Sequence, residues 1–102
     1  MKAHNLKLDN EYFDDVANSL KKFEIRKNDR DYQVGDLLFL QRYSNGQYLK
    51  RTGWGGSSVV GATKENADTL LAQVVYMTEY AQRDGYVVLG IKLVDIVDKA
   101  EN

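Results

Sequence analysis

The pair Asn45-Gly46 constrains this fold more than any other feature of the chain. Both residue types accept positive φ, which the two-residue turns that match strand twist require. Strand-like runs flank the pair, Leu37–Tyr43 before it and Tyr48–Thr52 after it, so an antiparallel hairpin is expected. Proline is absent, which leaves glycine, asparagine and aspartate to mark the other turns. Val34-Gly35-Asp36 reads as a turn entering the first hairpin strand. Ala3–Leu8 alternates apolar and polar residues, as a half-buried strand does. Lys22–Lys27 alternates cleanly, with Phe23 and Ile25 on one face and Lys22, Glu24 and Arg26 on the other. Asn28-Asp29-Arg30-Asp31 is turn chemistry. Leu70–Tyr80 and Tyr86–Val94 complete the strands, joined by the turn Gln82-Arg83-Asp84-Gly85.

A helix is expected at about residues 10–20. Asp9 or Asn10 can cap its N-terminus, and Glu11 suits the positive end of the helix. Tyr12, Val16 and Leu20 recur every four residues with Phe13 beside them, which predicts one buried face. The glycine-rich stretch at residues 53–58 reads as a flexible loop. Thr63 is placed to cap a short helix over Lys64-Glu65-Asn66. The tail from Asp98 reads as frayed. About six strands and one helix result, the strands mostly adjacent through hairpins. That pattern predicts an α+β chain, mainly β: a small antiparallel barrel with a flanking helix. At 102 residues, one domain spanning 1–102 is expected.

Composition excludes several kinds of chemistry. There is no cysteine, so thiol nucleophiles, disulfides and thiolate metal sites are excluded. One histidine, His4, rules out a multi-histidine metal site within the chain, and its place in the first strand suits a hydrogen-bonding role. No phosphate-binding glycine loop, dinucleotide fingerprint, nucleophile elbow or calcium loop occurs, so no cofactor is expected. No apolar run approaches the roughly 20 residues of a membrane helix. The first residues lack a signal peptide's apolar stretch. A soluble, cytoplasmic monomer without membrane contact is expected.

Charge is uneven along the chain. The net charge is −1, yet residues 21–64 hold nine Lys/Arg against four acids, which gives +5. A basic surface of that kind can meet phosphates without making the whole protein basic. At its start stand Lys21, Glu24 and Arg26. Strand period puts Glu24 and Arg26 on one face, and Lys21 sits at the helix–strand corner, able to lean over that face. An ammonium, a carboxylate and a guanidinium crowded together can bind an anion or move a proton. They can equally be an exposed ion-pair cluster contributing at most about 1 kcal/mol per pair.

The stretch Ser19-x-Lys21-x-x-Glu24-x-Arg26 resembles the G-x-K-x-x-E-x-R signature of the ASCH domains, within the PUA-like group, with serine in place of the glycine. His4-x-Leu6-Lys7, Tyr12-Phe13, Val34-Gly35-Asp36 and Gly85–Ile91 extend the resemblance to an uncharacterised bacterial and phage branch. The likeness covers residues 1–50 and 72–93, and residues 51–71 look like a loop insertion. The resemblance implies a β-barrel with a cleft floored by the signature residues, and RNA or a modified nucleotide as the ligand. It also implies an alternative. Some small ASCH proteins are amidohydrolases acting on N4-acetylcytidine, with a catalytic signature lysine and a threonine where this chain has Glu24. Others are reported as ribonucleases.

The expectation is therefore a nucleic-acid-binding module. Lys21 and Arg26 would contact phosphate or a base edge, and Glu24 would accept from a base amino group or hold Arg26. Lys27, Arg30, Arg51 and Trp54 would extend the contact, Trp54 by stacking a base from its glycine-rich loop. Tyr32, in a polar turn, is a further stacking candidate, whereas most of the other tyrosines suit sheet packing. If the protein is an enzyme, Lys21 would be nucleophile or base and Glu24 the proton shuttle.

Overall fold

The computed structural model describes residues 1–52 and 58–97. The elements run β1 (Ala3–Asp9), α1 (Asn10–Ala17), β2 (Phe23–Lys27), β3 (Leu37–Ser44), β4 (Gln47–Arg51), β5 (Val59–Ala62), β6 (Thr69–Thr78) and β7 (Tyr86–Val97). The tail from Asp98 and residues 53–57, Trp54 among them, lie outside the described residues.

Strand β3 organises the sheet. From Leu37 to Gln41 it pairs on both sides, parallel to β1 and antiparallel to β6. β6 ends its pairing at Thr69 opposite Gln41, and β4 takes over through Tyr43↔Tyr48 and Ser44↔Gln47. The Asn45-Gly46 turn has φ of 50° and 81°, the positive values that a two-residue hairpin needs. The sheet order is β2-β7-β6-β3-β4-β5, with β1 added on β3. Two register shifts in the β6–β7 pair help bend it. The fold is α+β in class and mainly β: a curled half-barrel with, among the described residues, one flanking helix.

Alternate residues of four strands fill the interior: Leu6 and Leu8, Leu38 and Leu40, Leu70 and Val74, Val87 and Leu89. Helix α1 adds Phe13 and Val16. Each large side chain fully buried in this way stabilises by roughly 1.5–3 kcal/mol.

Several local expectations are corrected. The helix stops at Ala17 rather than about residue 20, because Ser19 takes a left-handed φ of 57° and turns the chain away. Leu20 thereby leaves the helical register and is 77% exposed, and Tyr12 is also exposed. At the other end Asp9 does cap, accepting from the Glu11 N–H at 2.8 Å. No short helix forms after Thr63. Thr63 and Asn66 bond each other reciprocally and close a turn instead. The stretch at 51–71 is not an open loop where described, since Val59–Ala62 pairs with β4 as β5. Tyr32 is 2% exposed and cannot stack a ligand face-on. Its backbone N–H bonds Asn28 and its ring packs 4.9 Å from that of His4.

Candidate functional site

An alternating strand at the rim of a core normally turns its apolar face inward. β2 does the reverse. Glu24 is buried, whereas Phe23 and Ile25 are 44% and 50% exposed. Burying a carboxylate is costly unless cations and donors meet it. Here three N–H donors do. Arg26 gives Oε1 two bonds, from Nε at 3.1 Å and Nη2 at 2.9 Å. Lys21 Nζ reaches Oε2 at 2.8 Å. The bend at Ser19 brings Lys21 there, as the helix–strand corner suggested. Its ammonium also donates to the Phe23 carbonyl at 2.6 Å, 4.6 Å from the centre of the Phe23 ring and 5.3 Å from that of Tyr12. Lys21, Glu24 and Arg26 thus converge at one place, as strand period and the helix–strand corner suggested.

The same cluster bridges an open seam. Among the described residues β1 pairs only with β3, and β2 only with β7. Arg26 Nη2 spans from Glu24 to the Lys7 carbonyl at 2.8 Å and ties β2 to β1. A side chain does here what a strand ladder would do in a closed barrel.

Two cavities lie along the seam and share Lys7 and Arg26. One, of about 440 Å³, is walled in part by Tyr12, Phe23 and Ile25, with Lys21 and Glu24 at its polar side. The other is also about 440 Å³ and is cationic, with Lys7, Arg26, Lys27, Arg30 and Lys64 facing one acid, Asp29. Lys7, Lys27, Arg30 and Lys64 form no ion pair among the described residues. Arg26 keeps both Nη1 donors clear of the described residues, since its bonds run through Nε and Nη2. The arrangement can hold phosphate-like oxygens by charge and by directed donors.

Lys27 and Arg30 therefore fall beside Arg26, as the sequence suggested. Arg51 does not. It reaches Asp14 on α1 through Nη2, and its backbone N–H bonds Asp68. Arg42, 3% exposed, joins that second cluster by donating to Asp68 at 2.8 Å, Asn10 at 2.7 Å and Asp14 at 3.0 Å. Partial burial pushes the Asp14 carboxyl up, but the guanidinium bonds from Arg51 and Arg42 outweigh it and hold the carboxyl below its usual range. This cluster locks the helix to the β3–β4 hairpin.

Lys7, Lys64, Gln41 and Tyr48 also line the cationic cavity, beyond the site residues expected from the sequence. Lys7 falls within the stretch that carries the family resemblance, and strand period already set it opposite Leu6 and Leu8. The Asn45-Gly46 hairpin returns Tyr48 along β3, but nothing in local pattern places Lys64 there, because its approach depends on β5 pairing with β4.

His4 is structural. An ionised carboxylate can only accept, so His4 Nε2–H donates to Asp36 Oδ2 at 2.9 Å. Asp36 also accepts from the Lys2 and Gln33 backbone N–H groups, both at 3.0 Å. Burial pushes the Asp36 carboxyl up, but these bonds overcome it and hold it at about 2. The carboxylate pins the turn before β3 to the start of β1.

Over 50 residues the chain is 42% identical to a protein of Escherichia phage P2 described as an uncharacterized 12.9 kDa protein in the GpA 3′ region. The matched stretch is 49% of this chain and 46% of the relative, so the chain matches about half the length of that protein. Residues 3–91 match the family described as a domain of unknown function, DUF3850, and by this extent the chain belongs to that family.

Proposed function

We propose that this protein is a nucleic-acid-binding module of the ASCH, PUA-like kind, taking RNA or a modified nucleotide along the β1–β2 seam. One observation carries the reading. Four cations without an ion-pair partner among the described residues surround one cavity of about 440 Å³, in a chain whose net charge is −1. Solitary cations gathered at one place repel each other, and a polyanion relieves that repulsion. The cavity volume suits a small ligand or one unit of a larger one. Glu24 fixes the plane of Arg26, so the guanidinium meets a phosphate in a set orientation.

The mainly β fold and the convergence of Lys21, Glu24 and Arg26 support the ASCH reading. The hydrolase alternative asks more of Lys21. That ammonium donates to Glu24 and to the Phe23 carbonyl, the posture of a positioning charge rather than of a free amine.

An amide-resolved NMR titration with a short single-stranded RNA tests the reading. Shifts are expected at Lys7, Arg26–Arg30 and Lys64. Shifts confined to other surfaces, or none at low salt, would overturn it. Release of acetate from N4-acetylcytidine in a parallel sample would favour the hydrolase instead.

A further inference from the structure

The cationic cavity is not uniformly charged. Lys27, Asp29 and Arg30 line it from the residues that end β2 and follow it, whereas Tyr48 and Gln41 line it from β4 and β3. Tyr48 pairs across the hairpin with Tyr43, and the two rings meet edge-on with centroids 5.1 Å apart. The Lys7 ammonium stands 4.7 Å from the centre of the Tyr43 ring. Neither tyrosine hydroxyl bonds a described residue, so hydrogen bonding does not explain these rings. Gln41 is 6% exposed and its amide has a set orientation. Nε2 donates to the Lys64 carbonyl at 2.6 Å, which leaves Oε1 as the acceptor without a donor among the described residues. One cavity thus joins phosphate-binding charge to an aromatic ring and a hydrogen-bond acceptor.

We propose that this cavity takes one unit of a single-stranded nucleic acid with its base turned inward, stacked on Tyr48 and donating an N–H to Gln41 Oε1, while its phosphate meets Arg26, Lys27 and Arg30. The inference rests on the nucleic-acid reading and deepens it. A protein that grips the backbone alone treats a strand with and without bases alike. A base-in pocket does not. Base–aromatic stacking contributes enough that its loss weakens binding by about 5- to 150-fold.

The test compares a fluorescently labelled eight-residue single-stranded RNA with an abasic strand of the same length and charge, by anisotropy, for the whole protein. Wild type should bind the RNA at least five times more tightly than the abasic strand. Tyr48→Ala should lower RNA affinity to about the level of the abasic strand, with its fold checked by circular dichroism. Tyr48→Phe should behave as wild type, because the ring and not the hydroxyl does the stacking. If Tyr48→Ala fails to fold, Tyr48→Leu, which keeps apolar bulk in the strand, takes its place. Equal wild-type affinity for the two strands would overturn the base-in pocket while leaving backbone binding intact. Failure to bind either strand would instead overturn the nucleic-acid reading itself.

Discussion

Replacing Glu24 by glutamine tests the inward charge cluster most sharply. The carboxylate accepts three bonds from two cations. Hydrogen bonds to charged groups contribute roughly 1.5–3 kcal/mol each, and bonds sharing one acceptor do not add fully. Removing one partner of a fully buried ion pair costs about 3–5 kcal/mol. Here the Lys21 and Arg26 side chains are 19% and 22% exposed, so both recover part of their hydration. Glutamine also keeps one oxygen for Arg26 or Lys21, but it turns an amide N–H toward the other. Together these effects set the expected loss at about 2–3 kcal/mol. For a domain of this size that lowers Tm by roughly 10–20 °C. Urea and thermal unfolding followed by circular dichroism measure it, with the exposed Glu79→Gln as a control expected within about 0.5 kcal/mol of wild type. A loss below about 0.5 kcal/mol for Glu24→Gln would mean that the carboxylate is solvated, and the account of the seam would be wrong.

Three further outcomes follow from single side chains. Asp36 titrates at about 2 in the folded protein against 3.8 for the free group. At roughly 1.36 kcal/mol per pKa unit it contributes about 2 kcal/mol, present in full above the unfolded value and lost as pH falls through about 2. Urea unfolding from pH 6 to pH 2 should show a steeper acid loss for wild type than for Asp36→Asn, and parallel curves would refute this. Arg42→Met removes one bond each to Asp14, Asn10 and Asp68, but Arg51 still meets both carboxylates, which are 50% and 31% exposed, so a loss of about 1–2 kcal/mol is expected by the same unfolding assay. Gly46→Ala meets no atom within 4 Å, so its cost is the backbone alone, about 1–2 kcal/mol at a φ of 81°; a neutral effect would argue against the two-residue turn.

Much of the fold was legible because it depends on local rules. Asn45-Gly46 fixes its hairpin through turn sterics, and Asp9 fixes the helix start through one hydrogen bond. The helix end was not legible, since a left-handed serine at residue 19 leaves no compositional mark. β5 was missed because its four residues become a strand only by pairing with β4. The site shows the same division. Alternation in β2 sorts its residues into two faces but does not say which face turns inward. That choice rests on Lys21 arriving from beyond the helix and on the Lys7 carbonyl lying across the seam. Arg51 looked like part of the basic surface, and its pairing with Asp14, 37 positions earlier in sequence, removes it. Tyr48 returns beside Tyr43 through the legible hairpin, but its place at the cavity depends on β1 and β2 closing over it, and Lys64 arrives only through β5, neither of which a short window contains.

The central claim is that the seam presents unpaired positive charge to a nucleic-acid backbone. The most direct measurement is the affinity for a short single-stranded RNA as a function of salt. Each phosphate neutralised on a single strand contributes about 0.7 to the slope of log K against log salt. Four or five contacts from Lys7, Arg26, Lys27, Arg30 and Lys64 therefore give a slope of roughly −3 to −3.5. The double variant Lys27→Ala/Arg30→Ala should reduce its magnitude by about 1.4. A slope near zero, or a slope unchanged in that variant, would contradict the account.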